Sequence, residues 1–168
     1  MNLEDLIKDS PAGVARFLKH GVELGYKPIF ADNNSQFSDA FTIAYGIGES
    51  TYMLVYGVVK GTKKYPTKNT VREATGLKGR FDMLKLREQG LRNISPEMEA
   101  GNITPFFSEK FDASKLYTTI DLEGIKENDP VKFPAGNNNY FALTLFEVFQ
   151  ALRSLYGKEK VAVNYLFN

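Results

Sequence analysis

The sequence predicts an α+β fold in a single domain, 1–168. It consists of a mostly antiparallel sheet, built around a hairpin at 40–60 and a C-terminal strand, packed against a buried helix at about 139–156. Three observations carry this. Residues 40–60 alternate with period two, residues 139–156 are apolar around most of a helical circumference, and residues 160–167 return to period two. The β-α-β rhythm of a doubly wound sheet is missing. A chain of 168 residues buries roughly 70% of its unfolded surface, enough for a core without a metal or disulfide staple.

The elements follow in order. Leu3, Leu6 and Ile7 mark a short first helix. Ser10-Pro11 opens a second, with an apolar stripe of Val14, Phe17, Leu18, Gly21 and Val22. Its polar face is Arg16, Lys19, His20 and Glu23, and Gly25 stops it. Lys27 to Ala31 reads as a short strand ending in a turn at Asp32-Asn33-Asn34. Phe41, Ile43, Tyr45 and Ile47 then alternate with Ala40, Thr42, Ala44 and Gly46; after Gly48-Glu49-Ser50 the bulky set resumes with Tyr52, Leu54, Tyr56 and Val58. With Glu49-Ser50 as the loop, Ile47 faces Tyr52, Tyr45 faces Leu54 and Ile43 faces Tyr56. The opposite face carries Thr42, Ala44, Gly46 and Gly57, small enough for a helix to approach closely.

After a polar loop at 61–70, helical spacing returns over 71–91, with Phe81, Met83, Leu84 and Leu91 on the apolar side. Residues 95–111 read as an irregular connection, 117–122 as a strand and 123–130 as a turn region. Asn137-Asn138-Asn139 offer N-caps to the helix that Gly157 ends. Val161, Val163, Tyr165 and Phe167 form a last strand, expected to pair with the hairpin.

Several function classes fall away on composition. Without Cys there is no thiol nucleophile, redox motif, disulfide or cysteine-type zinc cluster. The single His20 lies on the polar face of its helix, and no nucleophile elbow or phosphate loop is present. The reading is a non-catalytic binding protein with no cofactor and no metal. No apolar run is long enough to span a membrane, and the acidic start lacks the basic region of a secretory signal, so a cytoplasmic location is expected.

Charge is the informative asymmetry. The formal net charge is +1, yet residues 60–92 hold ten Lys/Arg against three Asp/Glu while both flanks are mildly acidic. Lys60, Lys63, Lys64, Lys68, Arg72, Lys78 and Arg80, interleaved with Tyr65, suit a groove for single-stranded nucleic acid. The cations attract phosphates and the ring stacks on an unpaired base, with Tyr52 or Tyr56 as further platforms. A solvated loop and helix face would have the same composition. Thr70 to Leu91 loosely resembles a helix-turn-helix around Gly76-Leu77. Arg72 and Asp82, however, stand where that motif packs a small and an apolar side chain.

Two other readings stand beside this one. A protein-binding or self-associating assembly component would use aromatic anchors, and Phe106 and Phe107 sit in the irregular segment expected near the surface. A divalent-cation-dependent enzyme would use Asp121 and Glu123, two apart on a strand and so pointing the same way, joined by Asp32 or Asp39.

Overall fold

The computed structural model describes residues 2–47, 50–59, 72, 82–84, 103–109, 116–121, 125 and 128–164. Helices α1 (Leu3–Asp9) and α2 (Ala12–Glu23) come first, followed by β1 (Ile29–Ala31), β2 (Ser38–Ile47), β3 (Ser50–Val58) and β4 (Asp82–Leu84). Strands β5 (Leu116–Asp121), β6 (Pro130–Pro134) and β7 (Tyr140–Thr144) precede α3 (Leu145–Tyr156) and β8 (Val161–Asn164). The sheet runs β1-β7-β6-β2-β3-β5-β8, with β4 paired beside β6 on the same side of β2. It is mixed. The pairings of β2 with β6, β3 with β5 and β5 with β8 are parallel and the other four antiparallel. The fold is α+β, as the sequence predicts.

Paired residues share a sheet face, so the register sorts the side chains. One face carries Val55, Ile120, Val131, Phe133, Phe141 and Leu143, and α1, α2 and α3 cover it. Leu6, Val14, Phe17, Leu18, Val148, Ala151 and Leu152 complete that core. Gly57 lies under the start of α3, where an added Cβ would come within 2.6 Å of Ile125 Cγ1 and 3.4 Å of Leu145 Cδ1. The small face of the hairpin thus does admit a helix. The opposite face carries Phe41, Ile43, Leu54 and Tyr56, joined by Lys132 and Tyr140.

The hairpin register is offset by two residues from the expected one. Tyr45 pairs with Tyr52 and Ile43 with Leu54, because the register runs from Ile47 paired with Ser50. A two-residue offset keeps every side chain on its expected face. Residues 140–144 are a strand rather than the first turn of a helix. Gly136, Asn137 and Asn138 turn the β6–β7 hairpin with φ of +77°, +53° and +59°, left-handed values that Gly and Asn tolerate. The N-cap is therefore Thr144, whose Oγ accepts the Glu147 N–H at 3.1 Å while Glu147 Oε1 accepts the Thr144 N–H at 3.1 Å. Residues 82–84, expected within a helix, pair with Ala44–Gly46 as β4, which removes the helix-turn-helix reading. Strand β6 occupies what reads as the end of a turn region, and β8 joins the sheet through β5 instead of the hairpin.

Candidate functional site

β6 meets β2 only at Ser38 and Asp39, and β4 meets it only at Ala44–Gly46. Between these pairings a cleft of about 450 Å³ opens along residues 39–43 of β2. Asn33, Ile103, Lys132, Pro134 and Tyr140 form its other walls. Tyr56 of β3, paired with Phe41, also borders this space and is fully buried.

Lys132 is the feature that gives the cleft chemistry. It alternates outward from Val131 and Phe133, which face the core, yet its side chain is only 4% exposed. Its Nζ lies 3.2 Å from Asp39 Oδ1, 3.5 Å from the Asn33 carbonyl oxygen and 5.0 Å from the centre of the Tyr140 ring. An ammonium this buried costs several kcal/mol of lost hydration, which a carboxylate in contact and an aromatic face offset. Asp39 is 35% exposed in its side chain, so the pair opens onto the cleft through its acidic member. Sequence reasoning singled out Asp39 only as a metal ligand and passed over Lys132. A Lys between Val131 and Phe133 in a strand reads as solvent-facing. The signal available was the pair of flanking prolines, Pro130 and Pro134, which bound a short strand rather than a turn.

Strand β3, which precedes the basic segment in the chain, ends level with this pair. Asp39 pairs with both Val58 and Lys132, so the three stand in one row across the sheet. The chain leaves β3 one residue later, at the exposed Val59. Lys60, Lys63, Lys64, Tyr65, Lys68, Lys78 and Arg80 lie outside the described residues; Arg72 is described and exposed. Of the further platforms, Tyr56 is fully buried and offers no stacking surface. Tyr52 is half-buried and stacks on Tyr117 at 5.1 Å, with Lys160 Nζ 4.2 Å above the Tyr117 ring.

Phe106 and Phe107 are core residues, not surface anchors, at 2% and 1% exposed. Phe106 stacks on Phe17 at 4.2 Å and packs against Phe133 and Phe141. The Tyr156 hydroxyl clamps Phe107, accepting its N–H at 2.9 Å and donating to its carbonyl at 3.2 Å. Burying a ring contributes about 1.5–3 kcal/mol, which is why an irregular segment turns its aromatics inward when a groove between helix and sheet will take them.

Of the carboxylates proposed for a cation, Asp32 and Asp39 are each engaged within the protein. Asp32 Oδ1 accepts the Asn34 N–H at 2.9 Å in a local turn and Asp39 holds Lys132. The Asp121 side chain and Glu123 lie outside what is described. Among the described residues no three His, Asp or Glu stand close enough to share a metal.

Two polar contacts between helices escaped the sequence reading. His20 Nε2 lies 2.9 Å from Ser154 Oγ and Nδ1 lies 3.7 Å from Glu23, the order of a nucleophile, base and acid. Ser154 is exposed in the last turn of α3, where its neighbours' backbone N–H groups are spent on the helix, so the helix backbone there offers no oxyanion hole. The Tyr26 hydroxyl donates to Gln150 at 2.5 Å. Burial first, and the Glu147 carboxylate second, raise its pKa above the usual 10.0. Both contacts fasten α2 and the turn after it onto α3.

No protein-family model matches the chain, and no curated protein matches it. Among solved structures, the crystal structure of hypothetical protein APE2540 is similar over 88% of this chain and 81% of that one, at 15% identity with a TM-score of 0.47. Among the described residues no helix is long and apolar enough to cross a membrane.

Proposed function

We propose that this chain is a non-catalytic binding protein for single-stranded nucleic acid, with residues 60–92 supplying the attraction. The supporting observation is the sheet row Val58–Asp39–Lys132. Strand β3 ends in this row, at a cleft walled in part by Phe41 and Tyr140, and the most basic stretch of the sequence begins two residues after Val58. A polyanion drawn to the segment arrives beside aromatic side chains, the combination that strand-binding surfaces use.

The test is binding of a fluorescent thymidine oligomer across a salt series. Affinity is expected to fall steeply with salt, with a log–log slope of about −0.7 for each phosphate neutralised. Lys63→Glu, Lys64→Glu and Lys68→Glu together should weaken binding and flatten that slope. Salt-independent binding, or none at low salt, would overturn the proposal.

A further inference from the structure

The Lys132–Asp39 pair has no part in attracting a strand, because its charges cancel. It is also not needed to close the core, which lies on the other face of the sheet. Replacing a buried ion pair with apolar side chains is often neutral or stabilising, so a pair kept at the wall of a cleft invites a ligand explanation. A phosphate is a poor fit, since the more exposed member of the pair is the carboxylate.

The pair suits a neutral, flat group that presents an acceptor beside two donors. One Asp39 oxygen holds Lys132; the other has no partner among the described residues. Of the three Lys132 N–H groups one is directed to Asp39, and the Asn33 carbonyl at 3.5 Å holds another only at the limit of hydrogen bonding. The cleft can therefore accept two N–H bonds on a carboxylate and give one from the adjacent ammonium. The pairing edge of guanine is complementary to this, with N1–H and the 2-amino group beside O6. Adenine and cytosine bring one amino donor next to a ring nitrogen acceptor, which would face the carboxylate. Uracil and thymine bring one donor between two acceptors.

We infer that the cleft takes one unpaired guanine of the bound strand, its pairing edge on Asp39 and Lys132 and its faces against Phe41 and Tyr140. This rests on the strand-binding reading above. The cavity of about 450 Å³ falls within the usual range of small-ligand sites, about 300–1,000 Å³. The edge is available only in a single strand, where bases can splay out and stack on aromatic side chains.

The experiment compares three probes on the full chain by fluorescence anisotropy and competition. They are a short thymidine oligomer with one central guanosine, the all-thymidine oligomer of equal length, and guanosine monophosphate. The guanosine oligomer is expected to bind about tenfold or more tightly than the all-thymidine one, with the monophosphate weaker than both. Asp39→Asn should abolish the preference and leave the all-thymidine affinity within about twofold. If that variant folds poorly, Asp39→Asn with Lys132→Met removes the stranded ammonium and must show the same loss. Equal affinity for the two oligomers, or a preference that survives Asp39→Asn, overturns the guanine site while leaving strand binding in place. Failure of both oligomers to bind overturns both readings. A monophosphate that binds as tightly as the guanosine oligomer overturns the strand as the source and assigns the cleft to a free nucleotide.

Discussion

Gly13 shows how one side chain's absence sets the packing of a whole segment. It is the second residue of α2, and an added Cβ there would run into the Phe106 carbonyl oxygen, with the Phe106 and Phe107 carbonyl carbons at 2.8 and 2.9 Å. In an exposed helix Gly→Ala gains about 1 kcal/mol. Here the obstacle is backbone held by the Phe17 stack and the Tyr156 clamp, so it cannot yield cheaply. Gly13→Ala is expected to lower stability by about 1–3 kcal/mol in urea unfolding; a stabilised variant would show that the 103–109 segment is free to move. Neither Gly13 nor Lys132 was legible from the chain. Both owe their roles to residues about ninety positions away, Phe106 in one case and Asp39 in the other. His20, in contrast, sits beside Glu23 on its helix as the sequence suggests, and only its bond to Ser154 needed the fold.

Helix α3 is the element whose physics is most local. Thr144-Leu145-Phe146-Glu147 spells a capping box, and both reciprocal bonds form, with the Thr144 hydroxyl also donating to Glu147 Oε1 at 3.0 Å. Thr144→Ala is expected to cost about 1 kcal/mol, read as a lower urea midpoint with unchanged slope; an unchanged midpoint would mean that packing alone sets the start of the helix. The buried helix, the hairpin and the first two helices were legible because each follows a period along consecutive residues. Strand β7 was not, because Tyr140 to Thr144 is buried or half-buried on both faces and so shows no alternation that would separate it from the apolar helix it runs into. Strand β4 is only three residues long and owes its state to the edge of β2. For the candidate site, the charge excess of 60–92 was plain in composition. The cleft was not, since it is made by the separate pairings of β6 and β4 along one strand.

At the scale of the whole molecule, the sheet draws its partners from across the chain. Ile29 pairs with Ala142, Ser38 with Val131 and Thr51 with Leu116. Each junction closes a loop of many tens of residues before any pairing rewards it. None of these connections carries a mark in the sequence, because hydrophobic period tells a strand that it is a strand but not which neighbour it has. The consequence is kinetic. A chain whose neighbours in space are strangers in sequence must search before it can settle, so refolding from urea is expected on the millisecond-to-second scale typical of high contact order. Stopped-flow fluorescence of the tyrosines would measure it, and completion within microseconds would contradict the long-range pairing. During that search the bulky side of the hairpin, Phe41 to Tyr56, stays uncovered, and crowding or warmth at that stage should favour aggregation over the native state.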